Sequence, residues 1–166
     1  MAKAAKKAAV KKAAPAKSAT SAAKKSQSKS TIKYADKSAG QPELVPIFET
    51  LVKMMEPYAK GSLQKTGGKD GQISLVSKKP VEVNGRKMDE IWLTGALVQK
   101  GFVGFYYMPV YVAPDEIKPQ LKPELLKCLK GKSCFHIKKL DDELTKQIKE
   151  AIDKGYQFYK KNGWIS

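Results

Sequence analysis

The chain has 166 residues, is 42% hydrophobic and carries a formal net charge of +16, which fits one domain with a real core plus a tail. Residues 1–41 hold eleven lysines against one acid, Asp36, whereas residues 42–166 hold twenty-one bases against fifteen acids. No apolar run approaches the roughly 18 residues of a membrane span, the N-terminus lacks the apolar stretch of a secretory signal, and Cys128 and Cys134 read as reduced thiols, so a cytoplasmic protein is expected.

Residues 1–33 use almost only Ala, Lys, Ser, Thr, Pro, Gln and Val. Such a segment buries too little apolar surface to offset the entropy of ordering, which predicts a disordered arm. Its ten lysines are Lys3, Lys6, Lys7, Lys11, Lys12, Lys17, Lys24, Lys25, Lys29 and Lys33. On a flexible chain they would displace counterions from DNA, RNA or another polyanion. Lysine presents a point charge and lacks the fork of arginine, so binding without sequence readout is expected, with the nucleoid as the natural location. A mitochondrial-type transit peptide would favour Arg on an amphipathic helix, and this arm has no Arg. Residues 34–42 read as a hinge, giving an arm and hinge over 1–41 and a folded domain over 42–166.

The domain opens with a helix predicted from Pro42 to Ala59, because Leu44, Ile47, Phe48, Leu51, Met55 and Tyr58 recur at helical spacing. From Ser62 to Val112 the period changes to two, which predicts an antiparallel meander. Asn84-Gly85 marks a two-residue hairpin, since both positions of that turn need positive φ. Glu90–Gln99 reads as a long strand with Trp92, Thr94, Ala96 and Val98 on one side. Phe102–Val112 reads as the next strand. Asp115–Leu121 and Pro123–Leu129 are expected as short helices, with Gly131 ending the second, and Ser133–Lys138 as a strand. Asp141 or Asp142 can cap a last helix whose Leu144, Ile148, Ile152, Tyr156 and Tyr159 form one apolar stripe and which Gly163 ends. This order gives the α+β class, an antiparallel sheet backed by N- and C-terminal helices.

Catalytic chemistry finds little here. His136 is the single histidine, and no nucleophile elbow, phosphate-binding P-loop or dinucleotide fingerprint occurs, so a non-enzymatic protein is expected. Gly67, Gly68 and Gly71 beside Lys65 and Lys69 could cradle a phosphate, although a flexible hairpin loop explains them as well. Cys134 and His136 stand at i and i+2 of a strand and so share a face. They are candidate metal ligands, and Cys128 joins them only if the turn at Gly131 folds back. Two ligands are too few for a structural zinc site. Phe102, Phe105, Tyr106, Tyr107 and Tyr111 could stack on bases, but strand aromatics also fill cores.

Tyr107-Met108-Pro109, then Gly131-Lys132-Ser133-Cys134-Phe135, then the closing amphipathic helix resemble the C-terminal half of the YdhG-like domains (domain of unknown function 1801). The resemblance spans residues 42–164 and is specific over about the last sixty. The arm lies outside it and is similar in composition to linker-histone-like tails. The resemblance implies a frataxin-like sandwich, and a frataxin-like iron chaperone as the alternative function. Frataxins hold iron on an acidic ridge of the first helix and strand. This chain offers only Glu43, Glu49 and Glu56 there, diluted by Lys53 and Lys60, and hard oxygen ligands need clustering to hold iron. The leading expectation is therefore a binding module whose basic arm takes a polyanion, with no cofactor of its own.

Overall fold

The computed structural model describes residues 36–166. The ten arm lysines, Lys3 to Lys33, lie outside the described residues. The fold is α+β, a six-stranded antiparallel sheet with helices packed on it. In chain order, α1 (Val45–Met55) leads into β1 (Leu63–Gly67), β2 (Gln72–Ser77), β3 (Val81–Val83), β4 (Arg86–Met88), β5 (Ile91–Gln99) and β6 (Phe102–Tyr107). Three short helices follow, α2 (Pro109–Val112), α3 (Pro114–Ile117) and α4 (Pro123–Lys127), then β7 (Leu129–Lys130), β8 (Cys134–Ile137) and α5 (Asp142–Lys161). The main sheet runs β1-β2-β5-β6-β8-β7, and β3-β4 forms a separate two-stranded ribbon.

The apolar stripes read from the sequence are the core. Leu44, Ile47, Phe48, Leu51 and Met55 pack from the first helix, and Leu144, Ile148, Ile152, Tyr156 and Tyr159 from α5. Both helices lie against β5, and Leu93, Val98, Val103, Phe105 and Phe135 meet them from the sheet with no exposed surface. Asp141 caps α5 by accepting the Leu144 amide at 2.7 Å, which satisfies one of the donors left over in a first helical turn. The helix predicted over 42–59 is broken into an α-helix between two 3₁₀ turns, Pro42–Leu44 and Glu56–Tyr58. Pro57 has no N–H to continue the α-helical bonding.

Three local expectations need correction. The strand expected to run to Val112 stops at Tyr107, because Pro109 opens α2 and its missing N–H suits a first turn. Gly131 does not end a helix; with φ +78° it sits in the β7–β8 turn. The meander is also interrupted, since the ribbon leaves between β2 and β5, which pair directly. The Asn84-Gly85 turn of that ribbon has φ of 51° and 74°, as its sequence demands.

The alternation read along β5 changes phase. Leu75 pairs with Thr94 while Val76 pairs with Trp92, so Leu93 is an extra residue in β5 and forms a β-bulge. Ile91 is buried before the bulge, Leu93 at it, and Ala96 and Val98 after it. Trp92 is consequently turned outward instead of sharing the core with Ala96 and Val98.

The first described residues are bound to the body. Gln41 accepts the Gly101 amide through Oε1 and donates through Nε2 to the Gln99 carbonyl at 3.2 Å, and Lys37 reaches Gln99 at 3.3 Å. The chain thus enters the fold at the β5–β6 turn.

Candidate functional site

At the other end of β5, the β3–β4 ribbon, the Met108–Pro114 segment and the β7–β8 turn enclose a cleft of about 1100 Å³. This lies at the upper end of the roughly 300–1,000 Å³ of ordinary small-ligand clefts. Its floor is apolar, from Ile91, Met108, Val110 and Leu129, with Tyr159 of α5 behind them. The Tyr159 hydroxyl donates to the Trp92 carbonyl at 2.9 Å, tying the bulge to α5. Met108 donates its amide to the Leu93 carbonyl at 3.1 Å, so the bulge also fixes the start of α2.

The rim is where the site acquires chemistry. Arg86 and Lys87 come from β4, Lys118 from the turn after α3 and Lys132 from the β7–β8 turn, and no acidic residue lines the cleft. Arg86 is the chain's single arginine. None of the four bases takes part in the two ion pairs among the described residues, Lys65–Glu56 and Lys127–Glu124. Three elements far apart in sequence therefore bring positive charge to one opening, where fields of like sign add.

Aromatic and apolar surface is exposed at the same opening. The exposed large hydrophobic residues among those described are Met88 (41%), Trp92 (46%) and Tyr111 (50%), and all three line this cleft. Exposed apolar surface gathered in one place marks a binding surface more often than isolated exposed residues do. The Lys132 ammonium lies 5.8 Å from the centre of the Tyr111 ring, within cation–π range. Trp92 donates its indole N–H to Glu90 at 3.4 Å, which restrains the ring while Glu90 itself stays outside the lining. At the mouth, Asn84 at the ribbon tip donates to the Val112 carbonyl of α2 at 3.0 Å.

The stacking candidates divide. Phe105 and Tyr107 are core residues with no exposed surface. Phe102 and Tyr106 lie half-buried on the opposite sheet face, where Phe102 stacks on His136 with ring centres 3.8 Å apart. Tyr111 alone reaches the cleft. Trp92 was missed as a candidate, because strict alternation placed it on one side of the strand with Thr94, Ala96 and Val98, a side whose last two members prove to be core.

Cys134 and His136 do share a face of β8, both half-buried between the buried Phe135 and Ile137. The turn at Gly131 also folds back, and Cys128 accepts the His136 amide on its carbonyl at 2.8 Å. Burial pushes both thiols up from their ordinary pKa, with the Glu124 charge adding to the effect at Cys128. Cys128 donates its S–H to the Glu124 carbonyl at 3.5 Å. Among the described residues no group of three or more His, Cys, Asp or Glu is placed to hold a metal ion. Glu56, from the first helical segment, is paired with Lys65 at 2.7 Å. The glycine loop between β1 and β2 is a poor phosphate cradle as well. The Gly68 amide is bound to the Gln72 carbonyl at 2.6 Å, and a Cβ on Gly71 would fall 2.5 Å from the Asp36 carboxylate.

No helix among the described residues is long and apolar enough to cross a membrane. Compared with known proteins, the chain matches no family model, no curated protein and no solved structure.

Proposed function

We propose that this chain is a non-enzymatic binding module for nucleic acid or a chemically similar polyanion, engaged jointly by the lysine-rich arm and the basic cleft. The observation that carries this reading is the acid-free rim of Arg86, Lys87, Lys118 and Lys132. Four cations converging on one opening repel one another, and an anionic occupant offsets that repulsion. The arm adds the lysines of residues 1–33, of the same sign.

The test is binding of a fluorescent oligonucleotide, followed by anisotropy across a salt series. The expected result is micromolar or tighter affinity at low salt with a steep negative slope against salt. Deleting residues 1–33 should remove most of that slope, and changing Arg86, Lys87 and Lys132 together to Gln should reduce it further. Affinity that neither change alters, or no binding to DNA, RNA or heparin at low salt, overturns the proposal.

A further inference from the structure

We infer that the cleft is a site for single-stranded nucleic acid, in which Trp92 and Tyr111 stack on unpaired bases while Arg86, Lys87 and Lys132 hold the flanking phosphates. This rests on the polyanion reading above and narrows it to one ligand class.

Charge alone does not distinguish one polyanion from another. The rings do. A sulfated sugar or polyphosphate has no aromatic face, so it would leave Trp92 and Tyr111 in water beside the cations. A duplex hides the faces of its bases within its own stack and presents only phosphates and base edges to a protein surface. A single strand alone offers both repeating phosphates and accessible base faces, the combination of charged groove and aromatic platform that binds it without sequence preference.

The placement of the rings fits such an occupant. The bulge at Leu93 is what turns Trp92 out of the sheet, so 46% of it remains exposed while its neighbours Ile91 and Leu93 are buried. Its backbone is held on both sides, by Tyr159 through its carbonyl and by the ladder to Val76. The ring itself donates to Glu90 at 3.4 Å, and a ring restrained in this way loses less freedom when a base stacks on it. Tyr111, half exposed on α2, lines the same cleft with the Lys132 ammonium 5.8 Å from its ring centre, so an aromatic ring and a cation are offered side by side.

The experiment uses the full chain, with an oligothymidylate, a duplex of the same length and heparin as probes. Trp92→Ala and Tyr111→Ala change exposed rings and should leave thermal unfolding close to that of the wild type. Trp92→Ala is expected to weaken the single strand about tenfold while changing duplex and heparin binding less than twofold. Tyr111→Ala should act in the same direction. A second readout does not depend on affinity. In a Trp164→Phe chain, Trp92 is the remaining tryptophan, and its fluorescence should be quenched by the oligothymidylate and not by heparin. Equal losses for all three probes, or no quenching by a single strand that does bind, overturn the single-strand assignment and leave the polyanion reading standing. Absence of binding to all three probes at low salt overturns both.

Discussion

Asn84 holds the tip of the β3–β4 ribbon to α2 by donating its side-chain amide to the carbonyl of Val112 at 3.0 Å. The same residue has φ +51°, so it serves both as the turn former of its hairpin and as the tie across the mouth of the cleft. Asn is suited to both tasks, because it tolerates the left-handed region and carries a donor. The ribbon is otherwise a two-stranded element outside the main sheet, and isolated ribbons are marginal.

Replacing this residue separates its two roles. Asn84→Ala should cost about 1–2 kcal/mol, combining a lost hydrogen bond with the strain of a Cβ residue at positive φ. Asn84→Gly keeps the turn and loses only the tie. Hydrogen exchange should show faster ribbon amides in both variants with unchanged protection in α5. Global unfolding should fall more for Ala than for Gly. Equal protection of the ribbon in wild type and Asn84→Gly would show that the tie does not hold it.

Much of the architecture was legible because local chemistry and tertiary packing agree. Asn84-Gly85 demanded a hairpin, Asp141-Asp142 a helix start, and the stripe from Leu144 to Tyr159 a buried face, and each occurs, with Asp141 as the cap. The cleft was not legible for two physical reasons. Trp92 faces outward only because β5 gains one residue against β2 at Leu93, and periodicity within a single strand carries no information about its partner's register. The rim is drawn from β4, the turn after α3 and the β7–β8 turn, which only the fold brings together. The one local hint was Arg86, the sole arginine in a lysine-rich chain, placed directly after the hairpin turn.

Gly155 lies inside α5 where the ring of Tyr107 crosses the helix. A Cβ there would stand 2.7 Å from both Cε2 and Oη of Tyr107 and 2.8 Å from Cγ of Pro109. Tyr107 is fully buried, so the ring has no room to yield. Gly155→Ala should therefore destabilise the fold by about 1–2 kcal/mol in denaturant unfolding. Overpacking of roughly 1–3 kcal/mol outweighs the gain in helix propensity of up to about 1 kcal/mol. A stabilised variant would mean that α5 can move away from the sheet at this point.

The same ring carries a hydroxyl that is buried without a hydrogen-bond partner of good geometry, facing the backbone of Gly155. Removing an unsatisfied buried polar group while keeping the ring's shape recovers its desolvation cost. Tyr107→Phe is expected to be neutral or stabilising by up to about 1 kcal/mol in urea unfolding. A loss of more than about 1 kcal/mol would reveal that the Gly155 backbone is a genuine partner.

Alkaline stability follows from the tyrosines. Tyr58 packs against Tyr156 and donates to Asp153 at 3.3 Å. Burial first, then the Asp153 charge and hydrogen bond, push its hydroxyl from 10.0 up to about 12. Burial raises Tyr107 and Tyr159 as well, with Tyr107 adding to the effect at Tyr159. Below pH 10 the hydroxyl is protonated in both folded and unfolded chains, and this contribution to stability is complete. As pH rises from about 10 to about 12, only the unfolded chain releases the Tyr58 proton, so stability falls; the fall ends once the folded hydroxyl ionises. Unfolding midpoints measured across that window should decline, and the decline should be shallower in Tyr58→Phe, which has no proton to release there. The difference in slope between the two proteins is the readout. Identical slopes would mean that Tyr58 ionises alike in the folded and unfolded chains.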